Sequence, residues 1–209
     1  MKRIIFVIAS VMFASLGAAY AQSQRIGVTA GVNIANVNGI SNATTKNGMI
    51  IGGFIEYDFM GGFALQPELL FSMKGTKEPS PTSSTAQYTW TSNYVEVPVL
   101  LKFDVLTVPI LPVNVDLYAG PDFAFNVASK NEASSGNTST TTDMKSSTRP
   151  FDFNIAVGGG PNLDLGLAKV RVELRYTFGT GSAFKSGGSG NPFGDAKNGV
   201  WSIMASAAF

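Results

Sequence analysis

Apolar and polar residues alternate with a period of two along most of the chain beyond residue 24, and no helical periodicity persists there. The clearest example is the segment 170–178, which predicts a β-strand with two distinct faces. One face carries Val170, Val172, Leu174, Tyr176 and Phe178, and the other carries Arg171, Glu173, Arg175 and Thr177.

Seven further segments show the same alternation: 25–36, 48–59, 63–74, 93–103, 113–127, 151–164 and 199–209. Strands of about 9 to 12 residues exceed the usual globular length and match a tilted crossing of a bilayer. Pro67 and Pro98 lie within such segments, and because proline lacks an N–H, we expect a bulge or bend at each.

The connections between these segments alternate in length. Four are long (38–47, 76–90, 128–150 and 180–198) and three are short (60–62, 105–112 and 165–168). This pattern predicts an all-β fold: an eight-stranded antiparallel transmembrane β-barrel with long extracellular loops and short periplasmic turns. The long connections are rich in Ser, Thr, Asn and Gly, so we expect them to be mobile.

Three observations indicate that the apolar face points outward. Eight strands enclose only enough room for side chains to fill, too little for the roughly forty apolar side chains of that face. The chain also ends on Phe209, which resembles the recognition signal of outer-membrane barrel assembly. The third is that the other face carries charges of both signs, which can pair once enclosed: Glu56, Asp58, Glu68, Lys74, Glu96, Lys102, Asp116, Arg171, Glu173 and Arg175.

These enclosed charges have two interpretations. They form a packed salt-bridge plug that fixes strand register, or they line a polar passage or a site for a small ion. The narrow lumen favours the plug. A soluble lipocalin-like or sandwich protein of the periplasm, with the apolar face inward, is the alternative for the whole fold.

Several aromatic residues fall near predicted strand ends and are expected to form interfacial girdles: Trp90, Phe103, Phe151, Phe153, Tyr176, Phe178 and Trp201.

The composition excludes several kinds of chemistry. The 209 residues include no cysteine and no histidine, so a disulfide framework, a Ser-His-Asp triad and Cys- or His-ligated zinc are all impossible. The formal net charge of +1 and the lack of a basic cluster argue against a nucleic-acid partner. Paired carboxylates remain, but a narrow barrel offers no cleft for a sugar, so we expect no enzyme activity, cofactor or metal.

The first 21 residues are predicted to be a secretory signal peptide. Lys2 and Arg3 precede an apolar run at 4–16, and Ala19-Tyr20-Ala21 has the small-x-small pattern of a cleavage site. This mostly apolar run of 13 residues is too short for a membrane-spanning helix. We expect residues 22–209 to form the barrel domain of the exported protein.

Two longer motifs resemble the PorT-like outer-membrane β-barrel family of Bacteroidota. They are LQPELLFSMKG at 65–75 and YVEVPVLLK at 94–102, with GP at 120–121 and VELRY at 172–176 in agreement. The resemblance implies an eight-stranded barrel in the bacterial outer membrane. The founding member of that family is associated with a secretion system, and the resemblance supplies no catalytic residues.

The sequence therefore predicts a non-enzymatic integral outer-membrane barrel with a structural or surface-interaction role through its loops. Its expected partners are membrane lipid, the barrel assembly machinery through the strand ending at Phe209, and surface or secretion components. A narrow channel for small solutes and an accessory of protein secretion are the alternatives.

Overall fold

The computed structural model describes residues 23–38, 44–59, 61–79, 86–107, 113–135, 138–181 and 197–209, and the predicted signal peptide lies outside these ranges. Within them, no helix is long and apolar enough to span a membrane. The described chain forms nine strands: β1 (Ser23–Asn38), β2 (Thr44–Asp58), β3 (Phe63–Pro79), β4 (Ala86–Thr107), β5 (Val113–Ser135), β6 (Thr138–Asp143), β7 (Phe151–Asp164), β8 (Lys169–Gly179) and β9 (Lys197–Ala208).

Eight of these strands close into a barrel. Their order is β4-β3-β2-β1-β9-β8-β7-β5, every neighbouring pair is antiparallel, and pairing of β4 with β5 closes the ring. The first and last strands join through β1 and β9, where Ile26 and Phe209 exchange backbone hydrogen bonds of 3.1 and 2.9 Å. The predicted all-β, closed eight-stranded fold is confirmed, and β6 is an additional strand outside the ring.

The alternation of the sequence separates an outer surface from the lumen. On β8, Val172 and Leu174 are 53% and 49% exposed, whereas Arg171 and Arg175 are each 2% exposed. The same division holds on β1, where Ile26 and Val28 are exposed and Thr29 is buried. A surface of this kind requires an apolar solvent, and the polar residues find their partners inside the ring.

The strands extend further than the alternation indicates. β4 and β5 contain 22 and 23 residues, and they pair as far as Ala86 with Ser135. Residues 86–90, 128–135 and 138–143 were therefore wrongly expected to be mobile loop. Thr-rich and Ser-rich segments support extended structure when a neighbouring strand satisfies their backbone groups. An irregularity beside Asn93 and Tyr94 shifts the register where this extension begins.

The bulges expected at the two prolines are absent, because the register of β3 with β4 is the same on both sides of them. Pro67 is aligned with Val99, and the next recorded partners are Leu70 and Glu96. The missing N–H groups therefore interrupt the ladder locally without adding a residue to either strand.

Two aromatic residues lie elsewhere than expected. Trp90 was predicted to belong to an interfacial girdle, but it is 6% exposed because it shares the inward parity of Ser92 and Tyr94. Tyr57 alternates with Glu56 and Asp58 in the segment 48–59, which predicts an outward and exposed side chain, but it is buried as well. The outer aromatic pairs of the structure include Phe123 with Phe153, Phe125 with Phe151, and Tyr176 with Trp201.

A charge placed on the outer surface tests the lipid-facing assignment. Leu174 lies at the middle of β8, and Leu174→Arg is expected to destabilise the inserted barrel by about 2–4 kcal/mol, the cost of Arg near the bilayer midplane. The same change at Leu167, in the turn between β7 and β8, is expected to cost about 0–1 kcal/mol. Urea unfolding in lipid vesicles measures both, and equal costs at the two positions would contradict the assignment.

Candidate functional site

The structure gathers the predicted charged residues inside the barrel, with one difference. Asp58 is half-buried at the end of β2, with a side chain 27% exposed. The other nine are at most 4% exposed: Glu56, Glu68, Lys74, Glu96, Lys102, Asp116, Arg171, Glu173 and Arg175. Their contacts divide the lumen into three layers.

The lower layer, at the end with the short turns, is organised around Glu56. Its carboxylate accepts hydrogen bonds from Lys102 (2.7 Å), Arg171 (2.8 Å) and Lys169 (3.3 Å). Asp116 forms ion pairs with the same two central cations, Lys102 at 3.1 Å and Arg171 at 2.9 Å. Two carboxylates thus share two buried cations, so removing any one of the four leaves a neighbour without its partner.

A polar pocket of about 210 Å³ opens beside this layer. Arg25 bridges two carboxylates at its rim, Asp58 at 2.6 Å and Asp164 at 3.3 Å. Lys169 and Asp104 also line the pocket. Cations and carboxylates around it pair with one another, and Asp58 belongs to this rim rather than to the buried network.

The middle layer is centred on Arg175, whose guanidinium binds Glu68 through two hydrogen bonds of 2.7 and 2.9 Å. Its Nε donates to the Tyr118 hydroxyl at 3.1 Å, and the guanidinium carbon lies 5.1 Å from the centre of that ring. Gly158 allows this arrangement, because a Cβ there would lie 2.7 Å from the Tyr118 hydroxyl. Glu173 is also buried, 3.9 Å from Arg175, and its Oε2 accepts no hydrogen bond in the described structure.

The described chain also has two buried apolar clusters, one of which contains Tyr118, the residue that Arg175 contacts. Leu100, Tyr118 and Ala156 form one buried cluster, and Ile50, Leu70 and Met204 form another. The low polarity of these neighbours strengthens the Arg175–Glu68 pair and makes any unpaired charge there costly.

The upper layer contains Lys74 and Glu96, whose charged atoms lie 2.5 Å apart. Lys74 also lies 5.2 Å from the centre of the Tyr94 ring. Asn154 donates a hydrogen bond of 2.9 Å to Asp122, which is 1% exposed. Asn33 donates to Ser72 at 2.9 Å and accepts from Ser202 at 2.7 Å, which joins β1, β3 and β9 along the inner wall.

The sequence-based selection missed several members of these layers. Gln66, Asp122 and Lys169 lie on the same faces of their strands as Glu68, Asp116 and Arg171, so strand parity alone identifies them. Arg25 lies on the same face of β1 as the buried Thr29, so the same alternation identifies it. Alternation along a strand does not predict which residues of other strands these side chains contact, because those contacts depend on the stagger of the closed barrel.

Together the three layers place paired charges and buried apolar side chains along the described lumen. No group of three or more candidate metal ligands occurs in the described part of the chain. The ion pairs join strands that are distant in sequence, such as β3 and β8 through Glu68 and Arg175.

A second notable feature lies at the opposite end from the short turns. There β3, β4 and β5 continue past the barrel, and β6 pairs antiparallel with β5 from Lys130–Asp143 to Ser135–Thr138. We call the strands β3 to β6 in this region the raised sheet. All six residues of β6 are exposed, and among the described strands β6 pairs with β5 alone. Its other edge pairs with no strand in the part of the chain that the structure describes.

Residues 20–185 match the family described as "Outer membrane protein beta-barrel domain". The chain belongs to this family. The match covers most of the barrel, and together with the closed eight-stranded fold it places the protein in the outer membrane. The family is thus established at the level of the outer-membrane barrel.

Solved outer-membrane barrels from three bacteria are similar to this family member. The match to Neisserial surface protein A covers 89% of this chain and 97% of the neisserial chain, at 11% identity and a TM-score of 0.47. The attachment invasion locus protein Ail of Yersinia pestis has the same coverage, at 14% identity and 0.40. OprG from Pseudomonas aeruginosa covers 89% and 95%, at 10% and 0.48. No curated protein matches this chain.

The middle layer of this outer-membrane barrel yields an asymmetric prediction. Arg175→Met leaves two buried carboxylates, Glu68 and Glu173, without their cation, and we expect it to destabilise the barrel by about 3–5 kcal/mol. Glu68→Gln keeps Arg175 beside Glu173, so we expect a loss of only about 1–3 kcal/mol. Urea unfolding of the refolded barrel in vesicles measures both. A greater loss for Glu68→Gln would show that Glu173 does not serve as a counter-ion.

Proposed function

We propose that this protein acts as a non-enzymatic surface-contact protein of the outer membrane, with the raised sheet as its working part. The observation that carries the proposal is the fully exposed strand β6, which among the described strands pairs with β5 alone. The barrel anchors the chain in lipid, and the raised sheet presents polypeptide beyond it.

The orientation follows from the connections between strands. β2 and β3, and β7 and β8, are joined by four residues each, and short turns of this kind lie on the periplasmic side of outer-membrane barrels. β6 lies at the other end, because it pairs with the part of β5 that follows the barrel segment. The raised sheet therefore faces the outside of the cell.

The plug argues against the channel alternative. Arg175 and Glu68 cross the lumen with 2% and 1% exposure, and Leu100 and Leu70 are buried as well. The pocket at the lower layer is bounded by ion pairs that include Glu56 and Lys102. A solute would have to break several buried pairs in succession, each of which is costly.

We expect the refolded protein to show no sustained single-channel conductance in planar bilayers, because the plug occupies the lumen. An open porin recorded in the same bilayers is the positive control. Insertion is verified by the migration difference between boiled and unboiled samples. Steady conductance from protein that passes this check would favour the channel function instead.

Removal of the raised part of β5 and β6 tests the surface role directly. Replacing 132–141 with an Asn-Gly turn keeps the hydrogen-bonded pair of Asn131 with Thr142 and leaves all pairs of β5 with β7 intact. We expect normal insertion but several-fold weaker cell settling and attachment by bacteria that display the shortened chain. The comparison is with bacteria that display the unaltered chain at the same surface amount. Equal settling and attachment by the two strains would contradict the proposed function.

The finer assignments complete the proposal. The motifs at 65–75 and 94–102 support a PorT-like member from Bacteroidota, and residues 1–21 are the signal removed before residues 22–209 insert as one barrel domain. Phe209, hydrogen-bonded through its backbone to Ile26, ends the strand that the assembly machinery would recognise. A link to secretion has the family resemblance alone in its favour.

A further inference from the structure

We propose that the free edge of β6 pairs antiparallel with β6 of a second copy of this chain carried by a facing membrane. The inference rests on the proposed surface role and names the partner of that same raised sheet. It follows from the backbone geometry of the strand, its sequence and the symmetry of two membranes.

The first step identifies which backbone groups are free. Met144 donates its N–H to the carbonyl of Ser129 at 2.9 Å, in the register of β5 with β6. In an antiparallel ladder, hydrogen-bonded and non-hydrogen-bonded pairs alternate. The backbone groups of Ser139, Thr141 and Asp143 therefore point away from β5, toward the free edge.

The second step concerns what this edge can accept. Strand edges are normally protected by Lys, Pro or a covering element. β6 has the sequence TSTTTD, with neither Lys nor Pro, and all six residues are exposed. Free N–H and C=O groups at alternate residues recognise the backbone of another extended strand.

The third step selects a second copy as that strand. When two β6 strands align antiparallel about Thr141, Thr141 faces its own equivalent and Ser139 faces Asp143 in both directions. All three edge residues then exchange backbone hydrogen bonds, six in total by the pattern of an antiparallel ladder. Shifts by two residues lose pairs, and a shift that places Asp143 opposite its equivalent brings like charges together. Hydroxyl side chains opposite one another are favourable cross-strand pairs.

Symmetry decides where the second copy resides. Two copies upright in one membrane are related by an axis along the membrane normal, which leaves the component of each β6 direction along that normal the same in both copies. Antiparallel pairing needs one strand reversed, and a copy in an opposing membrane supplies this. One short pairing is weak, but many copies between two surfaces add through avidity. The raised sheet thus functions as a self-recognising contact between cells or vesicles.

Single cysteines test this register without background, because the chain contains no cysteine. In the proposed pairing Thr141 is opposite its equivalent, with Cα atoms about 5.5 Å apart, which suits a disulfide. Thr140 lies opposite Thr142 of the other copy, and two Thr140 residues are about 7–8 Å apart, beyond the range of a disulfide. Thr140→Cys is therefore the matched control.

The experiment uses two vesicle populations of the full-length variant, one fluorescently labelled, with the β6 end shown to face outward by proteolysis. After mixing and mild oxidation, we expect at least fivefold more labelled–unlabelled disulfide dimer for Thr141→Cys than for Thr140→Cys. Equal dimer at both positions, more at Thr140, or none at either overturns the pairing.

A second pair of variants measures clustering without a cross-link. Thr141→Pro removes a central edge N–H while the hydrogen bonds between β5 and β6 are kept, and Thr141→Val retains that N–H. We expect vesicle clustering, followed by turbidity, to fall several-fold for Thr141→Pro and to persist for Thr141→Val. Unchanged clustering by Thr141→Pro overturns the inference. If 132–141 is nevertheless required for clustering, the proposed surface role stands with another partner.

Discussion

The structure depends on the mutual neutralisation of charges enclosed by a closed sheet. Closing eight strands leaves a lumen that side chains fill, so a charge on the inward face has no bulk water to solvate it. Glu56, Glu68 and Asp116 find cations on strands far away in the sequence, for example Glu56 with Arg171. The ring must close in one register for these pairs to form, and the pairs in turn oppose slippage of the ring.

This constraint explains the division between lumen and surface. Outside, side chains such as Val172 and Leu174 contact lipid, which forms no directional interactions with them. An apolar residue at every second position is therefore sufficient for the outer surface. Inside, geometry matters at every position, as at Gly158, where the absence of a side chain leaves room for Tyr118.

Sequence reasoning predicted the part of the fold that periodicity encodes. The parity of 170–178 identified both faces of β8, and repeated alternation gave the number of barrel strands. It failed where the same physics has no hydrophobic signature: 128–135 and 138–143 are polar on both faces, yet they form ladders because neighbouring strands satisfy their backbones. Trp90 was misplaced because proximity to a strand end was given more weight than parity.

For the site, the types of inward residue were predictable but their pairing was not. Pairs such as Arg175 with Glu68, 107 residues apart, require the stagger of the closed ring, which no local pattern specifies. Asp58 shows the complementary limit. It shares the inward parity of Glu56, but it lies at the mouth, where solvent reaches it and Arg25 binds it. The alternation along a strand predicts whether a side chain points inward or outward. Its distance from the end of the barrel decides whether a charged group is shielded from water and must be paired.

The location of the raised sheet is explained by the need of each backbone N–H and C=O group for a hydrogen-bond partner. Within lipid, each strand needs a neighbour on both sides, because an unpaired peptide group has no water to bind. The pairing of β4 with β5 meets this requirement for the ring. An open edge such as that of β6 is permitted only beyond the bilayer, where water satisfies Ser139, Thr141 and Asp143 until another strand replaces it. The free edge of β6 therefore has to lie on the aqueous side of the membrane. Backbone groups that hydrogen-bond to water there are also able to hydrogen-bond to the backbone of another extended strand.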